Sequence, residues 1–332
     1  MSVLKMCLTI AWLPFLASAL AAGQEMVLQY SFPTEAMLAQ DIYLRYGAGL
    51  ACDRAGNVWV VDSGQGVLLQ FDPAGQFLKK AGRQGQGPGE FSRPGTIHIT
   101  EDGDLLVLDT GNVRMAVLSA EGEFKRSFKF LRRYEDFCVD KGRIYLLNNN
   151  PREDGKTVDV LSMDGDFLES LGEDPGFGPV VPYNARVANM KGISGDQNGR
   201  LLVGWTFFPI VHVLDAGRKE TVARVEIDDP RLKDRYRRNL GQLNVQEAEI
   251  WNVVLRTRAH RGGFLASVPG ERIELLDCGL DGKVRATYWA PMPEEDYLGR
   301  DFICREDGNT TWVYILQTRP ESKVNVYKVE PK

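Results

Sequence analysis

Two stretches of the chain carry the same order of apolar runs and polar turns. Residues 53–77, DRAGNVWVVDSGQGVLLQFDPAGQF, align with residues 100–124, TEDGDLLVLDTGNVRMAVLSAEGEF, at a constant offset of 47. The alignment sets Gly56 over Gly103, Val60 over Val107, Asp62 over Asp109, Gly64 over Gly111, Gly75 over Gly122 and Phe77 over Phe124. Short β-rich runs such as VWVV and LLVL, bounded by glycine turns, predict strands joined as hairpins, with a fourth strand after the second turn. Weaker copies keep the punctuation: Gly142–Gly165 around RIYLL and VDVLS, Gly199–Gly217 around RLLVG and VHVLD, Gly263–Gly282 around FLASV and IELLD, and a last copy from Gly308 with NTTWVYIL and VNVYKV. Tandem four-stranded units of about 50 residues predict an all-β fold, a six-bladed β-propeller of antiparallel blades. The last unit stops before its fourth strand, and MVLQYSF (Met26–Phe32) belongs to no unit. That N-terminal strand is expected to complete the last blade, because closure removes an exposed sheet edge.

Between the first two units lies GRQGQGPGEF, residues 82–91. A phosphate-cradling loop would need G-x-x-x-x-G-K-[ST] or G-x-G-x-x-G opening a helix. Neither spacing is present, and the stretch runs into the strand-like FSRPGTIHI, so it reads as a connector between blades. The run GPGEF, then RPGTIHI, then EDGDLLVLDTGNVRMAVLSAEGEF resembles the NHL repeat of secreted bacterial six-bladed propellers, closely over residues 47–125 and through turn glycines and strand runs thereafter. The resemblance implies a fold and leaves the activity open, since one architecture carries many functions.

The 332 residues are 43% hydrophobic, with 40 basic and 45 acidic side chains and a formal charge of −5. Such a balance gives no sign of a nucleic-acid partner. The first residues combine Lys5, an apolar run from Met6 to Leu16 interrupted by Pro14, and the small-x-small pattern Ala19-Leu20-Ala21. Residues 1–21 are therefore expected to be a cleaved signal peptide, too short in its apolar run for a membrane span. Residues 22–332 are expected to form one propeller domain, monomeric and periplasmic or extracellular.

Four cysteines remain after the leader, Cys52, Cys138, Cys278 and Cys304. Cys52, Cys138 and Cys304 each precede a turn glycine by four residues, so they share one first-strand position in different blades. Stacked sheets lie about 10 Å apart while a disulfide needs Cα atoms within about 7 Å, so free buried thiols are expected. Amidating-lyase propellers, which the fold resembles, hold zinc with three histidines, but His98, His212 and His260 occupy different positions within their blades and do not converge. Sugar-lactonase propellers hold a divalent cation with oxygen ligands at the channel mouth, and Glu135, Asp136 and Asp301 fall near the starts of first strands. Calcium or zinc there is one reading; solvated loop acids are the other, because Gly49 and Thr96 leave the ring incomplete. Asp62 and Asp109, with Asn112 and Arg114 in the next turn, recur as a pattern and suggest a structural role in the turns.

Residues 228–251, DDPRLKDRYRRNLGQLNVQEAEIW, break the strand pattern. Asp228 or Asp229 can cap a helix with Pro230 in its first turn and Leu232, Tyr236 and Leu240 along one face. Its basic cluster, Arg231, Lys233, Arg235, Arg237 and Arg238, is either a solvated face or a lid that receives an anionic ligand. A second long insertion, residues 172–192, is another place where function tends to sit. Two functions follow: a non-catalytic binding module for a protein, peptide or glycan at one propeller face, or a metal-dependent hydrolase or lyase with its site at the channel mouth.

Overall fold

The structure, a computed structural model, describes residues 23–150, 154–173, 188–243, 245, 250–293 and 298–329. The expected signal peptide and most of the 172–192 insertion lie outside the described residues. The chain opens with β1 (Gln24–Phe32) and the one-turn helix α1 (Glu35–Leu38). Blade one follows as β2 (Gly47–Cys52), β3 (Val58–Asp62), β4 (Val67–Phe71) and β5 (Phe77–Ala81). The short pair β6 (Arg83–Gln84) and β7 (Glu90–Phe91) leads to blade two, β8 (Pro94–Ile99), β9 (Leu105–Asp109), β10 (Arg114–Leu118) and β11 (Phe124–Lys129). Blade three is β12 (Asp136–Asp140), β13 (Arg143–Leu147), β14 (Val158–Ser162) and β15 (Phe167–Leu171). Blade four is β16 (Lys191–Gly195), β17 (Arg200–Trp205), β18 (Ile210–Asp215) and β19 (Glu220–Glu226). After α2 (Pro230–Gln242), blade five is β20 (Arg256–His260), β21 (Gly263–Val268), β22 (Arg272–Cys278) and β23 (Val284–Pro291). Blade six is β24 (Leu298–Asp307), β25 (Thr310–Arg319), β26 (Lys323–Val329) and, returning from the N-terminus, β1.

The first strands β2, β8, β12, β16, β20 and β24 touch one another in order and back to β2, so they ring a central axis. Six apolar clusters hold the ring together, one between each pair of neighbouring blades. This arrangement explains the sequence pattern. Strands β3, β4, β9 and β10 are buried along their whole length and read as continuous apolar runs, because each face of their sheet meets a neighbour. The outer strands β5 and β19 alternate burial and exposure.

Closure follows the expectation and adds one feature. β1 runs antiparallel to β26 from Met26↔Val329 to Phe32↔Val324. Its start also pairs parallel with β23 through Gln24↔Tyr288 and Glu25↔Trp289, so one strand stitches blades five and six into a single eight-stranded sheet. Phe32 is fully buried in the cluster between blades six and one, with Phe71 at 4.4 Å between ring centroids.

All four cysteines are free. Burial pushes the Cys304 and Cys278 thiols up to about 12 and Cys52 up to about 11. They act as small apolar groups rather than nucleophiles. No helix among the described residues is long and apolar enough to cross a membrane.

Candidate functional site

The connectors that bring the chain from an outer strand to the next first strand lie on one face of the disk, with the turns between second and third strands. Asp62 and Asp109 fasten these two sets of backbone together. Asp62 is fully buried and accepts the N–H groups of Arg45 and Tyr46 from the connector and of Gly64 and Gln65 from the turn. Asp109 accepts Ser92 N–H, the Asn112 amide and Arg114 Nε. Arg114 then donates to the carbonyls of Gln86, Gly87 and Glu90, and Asn112 to that of Gly85. The glycine-rich stretch is thus a blade connector, and the anion it encloses is its own. The N–H groups of Gln86 and Gly87 point at the Glu90 carboxylate, at 3.1 and 2.9 Å.

On that face, residues from all six blades line the mouth of the central channel, a cavity of about 540 Å³. At its floor Arg256, on β20, crosses the axis. Its two Nη atoms meet the two oxygens of Asp136 at 2.6 and 3.0 Å, and its Nε lies 3.4 Å from Asp301. Arg258, two residues on and therefore on the same side of β20, donates to Asp301 at 2.6 Å. Thr96 Oγ1 donates to Asp136 at 2.7 Å and Ile193 N–H at 2.9 Å. Burial works against charge on Asp136, but the guanidinium groups of Arg256 and Arg258 outweigh it and hold the carboxyl below its usual range. Deeper in the channel, burial with help from Arg258 pushes His98 down to about 4, so it is neutral at physiological pH. Gly192 makes room for the pair: a Cβ there would sit 2.8 Å from Arg256 Nη1.

The structure therefore brings together two of the three acids expected to hold a cation, and it surrounds them with arginine. Glu135 also lines the mouth but stands outside the arginine cluster, its carboxylate accepting Asn149 N–H at 3.0 Å. Among the described residues no group of three or more His, Cys, Asp or Glu side chains is arranged to hold a metal ion. His98 and His260 sit in first strands and His212 in a third strand; none lines the mouth.

The rim is cationic. Arg93, Arg133 and Arg300 come from blades two, three and six, all exposed, and none has a carboxylate partner among the described residues. Arg93 has φ of 59°, a left-handed conformation unfavourable for a residue with a side chain, and it is pinned there by Thr110, whose N–H and Oγ1 both donate to its carbonyl. Arg300 stacks over Tyr46 at 5.1 Å and donates to its hydroxyl at 2.8 Å. With Arg256 and Lys191, five cations and three carboxylates line the mouth, against a chain that is net negative.

The cations of α2 are placed differently. Asp229 caps the helix as expected, with Pro230 in the first turn. Arg231 pairs with Asp229 and Glu274 at 2.7 and 2.8 Å, Lys233 with Asp228, and Arg238 with Asp234 at 2.8 Å. Arg235 donates to the carbonyls of Asn252 and Pro269. Neither Arg235 nor Arg237 has a carboxylate partner among the described residues, and no residue of α2 lines the mouth. Leu232 is buried and Tyr236 packs on the core, but Leu240 is exposed, because the buried face continues through Asn239 and Leu243 instead. Buried Asn239 accepts Trp251 N–H and donates to the carbonyls of Trp251 and Phe207. The helix braces the connector that delivers Arg256.

Arg256, Arg258 and the three rim arginines are the functional candidates that sequence reasoning missed. One signal was available: RTRAH places two arginines at strand period in a first strand, where polar side chains on one side must face the axis.

A family model described as a 6-bladed beta-propeller matches residues 48–169. Human E3 ubiquitin-protein ligase TRIM32 is 43% identical over 49 residues, 15% of this chain and 8% of that protein. Drosophila melanogaster protein brain tumor is 23% identical over 130 residues, 37% of this chain and 12% of that protein. The chain thus spans a small part of the length of either relative. Among solved structures, a putative exported protein from Bacteroides fragilis is 9% identical with a TM-score of 0.59, over 92% of this chain and 94% of that one. A catalytically inactive histidine-to-alanine variant of virginiamycin B lyase from Staphylococcus aureus, with quinupristin, is 11% identical with a TM-score of 0.56, over 86% and 97%. At these identities the likeness shows the fold alone. Fold, ring and matches together define a six-bladed β-propeller. The stretch that the family model matches, residues 48–169, contains most of the part whose repeats resemble the NHL type.

Proposed function

We propose that the protein is a secreted or periplasmic binding propeller, without catalytic activity of its own, that holds a protein, peptide or glycan ligand on the connector face around the channel mouth. One observation carries this reading: three exposed guanidinium groups from three blades face one cavity whose two central carboxylates are already engaged by Arg256 and Arg258. A hydrolase or lyase needs a free base, nucleophile or metal at the reacting centre. At this mouth the acids at the floor act instead as counterions. The surrounding face also displays Tyr43, Tyr46, Leu131, Met190 and Trp251, and tyrosine, tryptophan and arginine are the side chains that dominate binding surfaces.

The test is a thermal-shift screen of small acids, sugars and peptides, repeated on the triple variant R93E/R133E/R300E. Binders are expected to raise the melting temperature of the native protein and to lose that effect in the variant, with no product formed on long incubation. Stoichiometric calcium or zinc in the purified protein that Asp301→Ala and Glu135→Ala abolish would overturn the reading in favour of a metal-dependent enzyme, as would turnover of any binder.

A further inference from the structure

The channel mouth does not end at its rim. Between blades five and six a second, smaller cavity of about 120 Å³ opens from it, and the two share Asn252, Leu255, Arg256, Leu298, Gly299, Arg300 and Asp301 as common wall. The walls peculiar to the smaller cavity are largely apolar: Val268, Pro269, Ile273, Met292, Phe302 and Ile315. Among the described residues its own polar walls are Ser267, Arg272 and one acid, Glu274. Glu274 is buried and held by Arg231 and by Arg272 itself, each at 2.8 Å, so these charges are already paired with one another. What the slot offers an incoming group is therefore surface that excludes water. In size it is comparable to the apolar cavities of roughly 150 Å³ that admit benzene.

Arg300 stands at the junction. It lines both cavities, and Tyr46 fixes its position by stacking and by hydrogen bonding, leaving the remaining guanidinium donors to a ligand. Across the mouth, Arg93 and Arg133 add positive charge that no carboxylate among the described residues neutralises. A planar guanidinium fork matches carboxylate and phosphate oxygens, and a partly enclosed basin strengthens such contacts relative to bulk water.

We infer that the mouth and slot together recognise a single oxyanion joined to a small branched aliphatic group, the oxyanion against Arg300 and its neighbours and the aliphatic group in the slot between blades five and six. This rests on the mouth being the binding site and states which part of the ligand enters it. The oxyanion can come from the C-terminal carboxylate of a peptide ending in an aliphatic residue, or from an aliphatic phosphate ester; both present the same charge beside the same apolar bulk.

Isothermal titration with four probes tests it: N-acetyl-L-leucine, isopentyl phosphate, N-acetyl-L-leucinamide and acetate. At least one of the first two is expected to bind at least tenfold more tightly than the amide, which lacks the charge, and than acetate, which lacks the aliphatic group. The tighter of the two identifies the source of the oxyanion. Arg300→Gln is expected to weaken the tighter binder at least tenfold. Met292→Trp, a bulkier side chain at the half-buried edge of the slot, is expected to weaken the same probe tenfold and to leave acetate unchanged. Acetate binding as tightly as the leucine derivative, or Met292→Trp without effect, would remove the slot from recognition and leave the mouth as the site. Equal binding of acid and amide, unaffected by Arg300→Gln, would overturn the oxyanion. If none of the probes binds, the proposal fails even where larger ligands still depend on the rim arginines.

Discussion

The two faces of the disk are built on different rules. On one, the turns joining first to second and third to fourth strands are short and polar: DRAGN, TEDGD, DPAGQ, SAEGE and MDGD. Each satisfies itself. Asp53 accepts Asn57 N–H, Asp72 accepts those of Ala74 and Gln76, and Ser162 accepts those of Asp164 and Asp166. On the connector face the carboxylates reach across the axis, as Asp136 does to Arg256 over 120 positions of sequence. The exposed large apolar side chains sort the same way. Most lie on outer strands, as Leu78 and Phe167 do, or on connectors and their helices, as Tyr43, Tyr46, Leu240 and Trp251 do; Leu298 opens a first strand at the mouth, and among the described residues none lies in the hairpin turns. One face is a set of independent caps, and the other is a single cooperative site.

The largest effect should come from breaking what both faces share. Phe32→Ala removes a fully buried ring from the strand that closes the propeller. A loss of about 3–5 kcal/mol is expected in urea unfolding. Because β1 belongs to blade six and also touches blade five, the transition should lose cooperativity as well. A drop below 1 kcal/mol would mean that the ring holds without its closing strand.

Next comes the arginine at the floor of the connector face. Arg256→Met leaves Asp136 and Asp301 buried without their shared cation, and losing one partner of a buried pair costs about 3–5 kcal/mol. The pH dependence separates this from a packing defect. In the native protein the carboxyl of Asp136 is held below its usual range, so its contribution to stability is present above the unfolded pKa and lost as pH falls through the folded one. In the variant, burial without the guanidinium should raise that pKa, and the protonated form should be the better tolerated. The gap in stability between the two proteins is therefore expected to narrow as pH is lowered from 7 towards 4. Adding Asp136→Asn should restore part of the loss; a double variant no more stable than Arg256→Met would show that the pair does not set the penalty.

Gly192→Ala should be intermediate. The new methyl would crowd Arg256 Nη1 and the Asp136 carboxylate, at 2.8 and 3.3 Å. The guanidinium must shift by a few tenths of an ångström against two partners, at an expected cost of about 1–3 kcal/mol in the same unfolding measurement.

The contrast between faces also decides what could be read from sequence. Hairpin turns are local: an Asp or Ser followed by a glycine such as Gly56 or Gly75 at φ near 89° or 78° declares itself in five residues. Blade number, the register of repeats and the closing strand follow from counting such signals. Asp136 and Asp301 could be placed near first-strand starts by the same count. Their partner could not, because nothing in RTRAH names the blade across the axis, and the link between Arg258 and Asp301 depends on two strands from separate blades meeting at the right height. The helix misled for a related reason. Its five cations are conspicuous in sequence, but three are occupied, by the nearby Asp228, Asp229 and Asp234 and by Glu274, which becomes relevant only once α2 lies against blade five.

The smallest changes sharpen the contrast most. Asp72→Ala on the hairpin face should cost about 1 kcal/mol, since two backbone N–H groups lose their acceptor, and should leave the channel mouth untouched. Arg133→Ala on the rim removes an exposed side chain with no carboxylate partner among the described residues, so its effect on stability should stay within about 0.5 kcal/mol. Yet Arg133 contributes charge to the one cavity that all six blades share. Its removal should weaken anion binding at the mouth and flatten the dependence of that binding on salt, whereas Asp72→Ala should change neither. Rim charge would then set binding with little effect on stability, and a hairpin-turn contact the reverse. If Asp72→Ala altered binding as much as Arg133→Ala, the two faces would be coupled through the blades and the mouth could not be treated as a site apart.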